Sequence, residues 1–167
     1  LLRPTDMKIP KSVAFVQCVG SRSEKGHLYC SNVCCMNTIK DALLIKEHWP
    51  DTKIYVYYVD IRAFGKGFED LYKRARKEGV LFVRGLPTEV VENKKTHDLW
   101  LVGENTLLKE VYKTQVGMAI LSTGLEPRQD SNVVQRLCVL SRTPDGFFME
   151  AHPKLRPVDA PTGGVFL

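Results

Sequence analysis

Residues 11–19 have the sequence KSVAFVQCV, an apolar run typical of a strand buried in a parallel sheet. A loop over residues 20–26 follows it. From Ser31 to about Trp49, apolar residues recur every three or four positions, which predicts a helix. We expect Ser31 to cap the N-terminus of this helix and Pro50 to end it. A strand, a long loop and a helix in this order decide the fold.

The segments after this helix continue the alternation. Strands are predicted at residues 53–59 and 80–84, with a helix over residues 68–78 between them that ends at Gly79. Strands and helices that alternate in this way predict a parallel sheet with right-handed crossovers.

Three short strand candidates come next, with no room for helices between them. They lie at residues 88–92, 97–102 and 107–113, and we predict an antiparallel meander with a turn at residues 104–105. A core strand is predicted at residues 116–122. The sequence therefore predicts an α/β fold, a Rossmann-like parallel sheet with a three-strand antiparallel meander.

The chain divides into three predicted parts. Residues 1–11 are an extended lead-in, residues 12–127 form the Rossmann-like nucleotide-binding-type domain, and residues 128–167 begin with a short helix and continue as a proline-rich segment. We expect Cys138, in the apolar run of residues 133–140, to be a buried structural thiol. Because the chain begins without a methionine and stops within a strand-like run, we expect it to be an internal fragment.

Composition excludes several function classes. The net charge is +5, but lysines and arginines are mixed with acids, as in residues 73–78, so we predict a solvated surface and no nucleic-acid partner. No apolar stretch approaches the roughly 20 residues of a membrane span, and none near the start resembles a signal peptide. Five cysteines without an even framework favour a reducing cytoplasm over a secreted disulfide scaffold.

Four of the five cysteines form a C-x11-C-x3-C-C pattern: Cys18, Cys30, Cys34 and Cys35. They come from the end of the first strand, the loop and the first turn of the helix, where free N–H groups and the helix dipole stabilise thiolates. The pattern predicts a metal centre. Adjacent helical cysteines about 100° apart suit an iron–sulfur cluster better than one zinc ion, which usually has C-x2-4-C pairs. Thiols without metal are the third interpretation.

The same turn is where a dinucleotide-binding fold carries G-x-G-x-x-G. Only Gly20 of that motif is present, and a long excursion precedes the helix, so we do not expect NAD(P)H to bind there. Asp60 ends the second strand, where a ribose-binding acid would lie, but we interpret it as the cap of a turn.

Four segments of the chain strongly resemble the A subunit of heterodisulfide reductase. They are VAFVQCVGSR at 13–22, YCSNVCCM at 29–36, DIRAFGKG at 60–67 and EAHPKLRPVD at 150–159. The related quinone-interacting membrane-bound oxidoreductase flavoprotein subunits look similar. The resemblance runs from about Pro10 to the end of the chain. It implies a nucleotide-binding subdomain like that of thioredoxin-reductase-like flavoproteins, with residues 128–167 as a partial return segment of an FAD domain.

The resemblance also implies cofactors. It implies that Cys18, Cys30, Cys34 and Cys35 hold a [4Fe-4S] cluster, and that Lys40 lies near the isoalloxazine of FAD. Because the glycine-rich FAD-binding unit of such subunits is missing from these residues, the resemblance implies that FAD is mostly bound by other parts of a longer chain.

Further flavin-side residues follow from the same resemblance. The turn that runs beside FAD in flavin disulfide reductases is similar to the segment Thr123, Gly124, Leu125, Glu126 and Pro127. The resemblance implies that His152 and Lys154 face the flavin or the cluster, although a structural role in the proline-rich segment fits them equally well.

Three functions are compatible with these residues. The first is an electron-transfer module of a cytoplasmic iron–sulfur flavoprotein, an oxidoreductase subunit that relays electrons between a [4Fe-4S] cluster and FAD and is inactive as a fragment. Its partners would be other subunits of a heterodisulfide-reductase-like or quinone-linked complex. The second is a non-catalytic metal-stapled or subunit-docking domain. The third, a dithiol–disulfide oxidoreductase, is disfavoured because vicinal cysteines form strained disulfides.

Overall fold

The computed structural model describes residues 1–167. Helices and strands follow one another in this order: β1 (Ser12–Val19), α1 (Cys34–His48), β2 (Lys53–Tyr58), α2 (Phe68–Lys77), β3 (Leu81–Arg84), β4 (Pro87–Glu92), β5 (Leu99–Asn105), β6 (Glu110–Val116), β7 (Met118–Thr123) and α3 (Ser131–Cys138). The chain forms two compact units, Leu1–Gly124 and Leu125–Leu167. No helix is both long enough and apolar enough to cross a membrane.

Strand β1 lies inside a four-stranded parallel sheet with the order β3-β2-β1-β7. Its apolar run fits this place because both faces of the strand are covered. Val13 and Phe15 face a core shared with Ile39 of α1. Ala14 and Val16 point to the other face and pack with residues of the meander. The predicted α/β fold with a parallel sheet is confirmed.

Helix α1 buries a stripe that includes Met36, Ile39 and Leu43, as the spacing predicts. Its start differs from the prediction, because the helix begins at Cys34 and no side chain caps it. Asn32 adopts φ +60°, a left-handed conformation that prevents the helix from extending back to Ser31. The prediction of Ser31 as the N-cap is therefore wrong.

Strands β4, β5 and β6 form the predicted antiparallel meander. The turn predicted at residues 104–105 is wrong, since both residues belong to β5. The chain turns after Asn105, whose Oδ1 accepts the N–H groups of Leu107 and Leu108. An asparagine side chain that bonds its own following backbone in this way favours a turn just after it rather than at it.

Strand β7 begins at Met118, while Val116 belongs to β6, so the predicted strand over residues 116–122 merges the ends of two elements. The residue between them is Gly117, whose N–H donates to the carbonyl of Ser12. Strand β7 forms an edge of the parallel sheet and is half-buried to exposed. The prediction of a core strand here is wrong in that respect.

The second unit contains α3 and a series of turns. Cys138, expected to be buried, is exposed. Its apolar neighbours Leu137 and Val139 are exposed as well, so an apolar run in the sequence did not mean burial here. Val139 has φ +52° and ends the helix.

Candidate metal centre

The carboxyl end of β1 departs from regular strand geometry at Cys18. The pairing of β1 with β7 shifts register between Val16 and Val19, and Cys18 lies within this irregularity with φ +57°. A left-handed conformation costs a residue other than glycine about 1–2 kcal/mol. Bulges of this kind change the direction in which a side chain points, and they are common next to functional sites.

The loop of residues 20–29 after β1 forms a turn held by backbone hydrogen bonds. The N–H of His27 donates to the carbonyl of Gly20 at 2.9 Å, and the N–H of Arg22 donates to the carbonyl of Tyr29 at 3.2 Å. A Cβ on Gly26 would lie 2.6 Å from the Gly20 oxygen, so the two sides of the turn approach as closely as glycine allows. This turn returns the chain towards β1 before Cys30.

Each of the three later thiols lies near the backbone of the site. The Cys34 Sγ lies 3.6 Å from the carbonyl oxygen of Thr123, at the end of β7. The Cys35 Sγ lies 3.8 Å from the carbonyl oxygen of Asp60, after β2. The N–H of Asn32 donates to the Cys30 Sγ at 3.4 Å. The cysteines therefore sit where the carboxyl ends of three neighbouring strands meet the start of α1.

Three of the thiols, those of Cys18, Cys34 and Cys35, have a raised pKa to which burial and neighbouring thiols contribute. Burial raises the pKa of Cys18, and the nearby Cys35 and Cys30 raise it further against the opposing effect of Arg22. Burial also raises the pKa of Cys34, again with contributions from Cys35 and Cys30. Burial raises the pKa of Cys35, while the N–H of Arg62 opposes it. A positively charged metal core would lower these pKa values again, because it stabilises the negative charge of the thiolates.

A buried polar network joins the three elements that carry the site. The Gln17 Nε2 donates to the Thr38 Oγ1 at 2.6 Å and to the Ser122 Oγ at 3.1 Å, and the two hydroxyls are 2.9 Å apart. Gln17 precedes Cys18, Thr38 lies one turn after Cys34, and Ser122 precedes Thr123. The network therefore fixes β1, α1 and β7 at the points where the site needs them.

Three buried polar atoms around the cysteines have no hydrogen-bond partner: Gln17 Oε1, Ser21 Oγ and Asp60 Oδ1. Such atoms are uncommon in folded proteins, and they indicate a bound water, an ion or a functional group. Their concentration here fits a site built around a polar or charged group.

The donor set tests which metal fits. No three histidine, cysteine, aspartate or glutamate side chains converge closely enough to hold one metal ion. Tetrahedral zinc with bonds of about 2.3 Å would need sulfurs about 3.8 Å apart. A cluster of several irons accepts a wider set of thiols, because each sulfur binds a different iron. The thiols as placed therefore do not form a site for a single zinc ion, and a cluster of several irons stays a prediction.

Curated relatives match the chain over its whole length. It is 51% identical over 100% of its length to an iron-sulfur A subunit of the CoB–CoM heterodisulfide reductase of Methanopyrus kandleri. It is 52% identical, again over 100%, to the A subunit of the H2:CoB-CoM heterodisulfide,ferredoxin reductase of Methanothermobacter marburgensis. The chain belongs to the family of heterodisulfide reductase A subunits. It spans about a quarter of the length of these relatives, 26% of each. No family model matches the chain.

A solved structure supports the fold of this member of the heterodisulfide reductase family. A crystal structure of Lactococcus lactis thioredoxin reductase matches it with a TM-score of 0.52 at 18% identity, over 93% of this chain and 42% of the other. At this identity the likeness concerns the fold alone. The predicted similarity to thioredoxin-reductase-like flavoproteins is confirmed for the fold, and the predicted family is confirmed by the curated relatives.

Two of the predicted flavin-side residues lie at the cysteine site of this family member. Thr123 contacts Cys34 through its carbonyl, as described above. A Cβ on Gly124 would collide with the hydroxyls of Ser21 and Ser31, so a larger residue here would have to displace both hydroxyls. Lys40 lies further along α1, 61% exposed, with its Nζ 3.3 Å from Asp41.

The remaining predicted site residues belong to the second unit. Leu125, Glu126 and Pro127 open it, and Lys154 is exposed. The Nδ1 of His152 accepts the N–H groups of Lys154 at 3.2 Å and of Leu155 at 3.1 Å. His152 thus caps the turn of its own segment, and a role of His152 or Lys154 towards a cofactor stays a prediction.

Sequence reasoning missed the polar residues around the thiols. Asp60, interpreted as a turn cap, forms an ion pair with Arg22 at 2.8 Å, and the Gln17 network was not predicted. A signal for the network was present, since a glutamine within an apolar strand needs a buried partner. No local pattern relates Arg22 to Asp60, which are distant in the sequence.

Proposed function

We propose that the chain is the electron-transfer module of an iron–sulfur flavoprotein, in which Cys18, Cys30, Cys34 and Cys35 hold a [4Fe-4S] cluster that exchanges electrons with FAD. The observation that carries this proposal is the gathering of four cysteines where β1 meets α1, at the carboxyl ends of three neighbouring strands. The curated relatives are named as reductase subunits, and several are named as iron-sulfur subunits. When bound, the cluster supplies one-electron redox chemistry.

The backbone around the thiols supports their charge. The N–H of Asn32 donates to the Cys30 sulfur, and the N–H of Arg62 acts on Cys35 in the same way. Hydrogen bonds to ligating sulfurs stabilise negative charge on them and tune the potential of an iron–sulfur centre.

The flavin side of the proposal rests on the end of β7. Thr123, which contacts Cys34, opens the segment through Gly124, Leu125, Glu126 and Pro127 that we propose to run beside FAD. Contact between this segment and a ligand thiol would keep the path between cluster and flavin short. Lys40 would stabilise a reduced anionic flavin, and His152 and Lys154 are further candidates. Most of the FAD would be bound outside these residues.

The partners and compartment follow from the same proposal. We propose other subunits of a heterodisulfide-reductase-like or quinone-linked complex as partners, because the relatives are named as single subunits of reductases. All five cysteines are free thiols, which fits a reducing compartment such as the cytoplasm.

Anaerobic reconstitution with iron and sulfide tests the cluster. We expect a brown protein with about four irons per chain and a broad absorbance at about 400 nm. Changing Cys18, Cys30, Cys34 or Cys35 singly to serine should lower the iron content and the absorbance. Cys138→Ser is the matched control, because Cys138 is exposed in the other unit, and it should bind as much iron as the wild type.

The result also separates the alternatives. A colourless chain that binds about one zinc ion and no iron would refute the relay and favour a non-catalytic metal-stapled or docking domain. Equal iron content in all the cysteine variants would show that the iron is bound elsewhere.

A further inference from the structure

Arg22 is held inward beside the cysteines. Its side chain is only 21% exposed, and its Nη1 lies 2.8 Å from the Asp60 Oδ2. It also acts on the Cys18 thiol as a hydrogen-bond donor and as a nearby positive charge. A single guanidinium therefore connects the end of β1 with the end of β2.

The backbone holds Arg22 in this place against a local cost. Arg22 has φ +56°, a left-handed conformation that costs a residue other than glycine about 1–2 kcal/mol. The bond from its N–H to the Tyr29 carbonyl fixes this conformation. Strain of this kind persists where surrounding structure imposes it, and it is concentrated at functional sites.

Asp60 completes a bridge between two of the thiols. Its carboxylate binds Arg22, which acts on Cys18, and its carbonyl oxygen lies 3.8 Å from the Cys35 Sγ. The Nε of Arg62 is the other cation near Asp60, but at 3.9 Å and with 42% of its side chain exposed. Arg22 is thus the principal counter-charge of Asp60.

We propose that the Arg22–Asp60 ion pair sets the reduction potential of the metal centre, with Arg22 stabilising negative charge at the Cys18 sulfur and Asp60 positioning Arg22 and limiting its effect. This inference rests on the proposed function. Reduction adds one negative charge to an iron–sulfur centre, so a fixed cation beside a ligating sulfur favours the reduced form. A fixed anion beside the same sulfurs favours the oxidised form. Both residues act through the ligands and are positioning residues.

Removing the charge of Arg22 and removing the charge of Asp60 should shift the midpoint potential in opposite directions. Arg22→Gln removes the cation, so the midpoint potential should fall, with the reduction equilibrium about tenfold less favourable, ~59 mV for one electron. Asp60→Asn removes the anion, so the potential should rise. A purely structural role would not give shifts of opposite sign, because loss of either partner loosens the same contact.

The test is a redox titration of the anaerobically reconstituted chain, followed by its visible absorbance. Lys25→Gln is the matched control, because it removes one positive charge from an exposed site in the same turn. Its potential should equal that of the wild type. Iron content, measured on every sample, shows whether each variant carries an intact centre.

Arg22→Lys provides a second variant in case Arg22→Gln does not load iron. It keeps the charge but loses the planar guanidinium, so its potential should lie between those of wild type and of a chain without the cation. Unchanged potentials in Arg22→Lys and Asp60→Asn, or shifts of the same sign in Arg22→Gln and Asp60→Asn, would overturn the inference. If the wild-type chain binds no iron at all, the proposed function itself fails, which is a different outcome from loading with unchanged potentials.

Discussion

The two ends of strand β1 are built differently. Its first part, Ser12–Val16, pairs in regular register with β2 and β7 and buries Val13, Ala14 and Phe15 almost completely. Its last part holds a register shift, a left-handed Cys18 and a buried Gln17 with an unpartnered oxygen. Departures from regular geometry that packing does not require are expected at functional sites. Stability is thus concentrated in one part of the strand, and strain in the other.

Truncation of the regular part should have the largest effect. Phe15→Ala removes a side chain that is 2% exposed and should lower the free energy of unfolding by about 3–5 kcal/mol, because it leaves a cavity in the core. Phe64→Ala is the matched control in the loop after β2, where Phe64 is 73% exposed, and should cost less than about 0.5 kcal/mol. Urea unfolding measures the free energy of unfolding of both variants. Similar losses in the two would show that stability is not concentrated in the regular part of β1.

The regular part of the strand was also the part that the sequence could predict. The apolar run of residues 13–16 required burial on both faces, and only a central parallel strand between a helix and a further layer provides it. The stripe on α1 was predictable from spacing for the same reason. The pattern of apolar residues within one short segment is enough to predict which of its side chains are buried.

The irregular part depends on residues that are distant in the sequence. The cysteine pattern predicted a site, but the pairing of Arg22 with Asp60 and of Gln17 with Ser122 is set by tertiary structure. Ser31 looked like a helix cap because its residue type is typical of one, whereas the left-handed Asn32 decided where the helix begins. Asparagine adopts this conformation more readily than most residues other than glycine, so the residue type of Asn32 was a signal that the prediction did not use.

The buried network should have the second largest effect on stability. Thr38→Val keeps the shape of the side chain but removes one of the two acceptors of the Gln17 amide, so about 1–3 kcal/mol of unfolding free energy should be lost. Thr88→Val is the control, because the Thr88 hydroxyl donates to the Val102 carbonyl on an exposed surface. Its loss should stay within about 0.5 kcal/mol. Equal losses would show that the network does not hold the three elements together.

A glycine at the strained position should have a smaller effect of opposite sign. Cys18→Gly relieves the left-handed conformation and should stabilise the metal-free chain by up to about 1 kcal/mol, since relief exceeds the entropic cost of glycine. Cys138→Gly, within α3, should give no gain, because glycine weakens a helix. Thermal unfolding compares the two. A clear loss from Cys18→Gly would mean that the strand end carries no strain.

The smallest expected effect concerns pH at the amino-terminal lead-in. The Arg3 side chain donates to Asp6 and holds the pKa of that carboxyl well below its usual value of 3.8. A carboxyl with a lowered pKa adds stability above its unfolded pKa and loses it as the pH falls below that value. Arg3→Ala should therefore lower the urea midpoint slightly at neutral pH, and the difference from wild type should shrink below pH 3.8. Lys11→Ala, a neighbouring exposed change, should show a difference that does not shrink in this way.

The position of β7 has a consequence for the order of assembly during translation. The strands and helix that carry all four cysteines are complete once β2 has been made, but the carbonyl of Thr123 that borders Cys34 comes much later in the chain. At usual rates of synthesis this delay is on the order of several seconds. Until β7 has been made, the growing chain lacks the backbone carbonyl that borders Cys34 on this side.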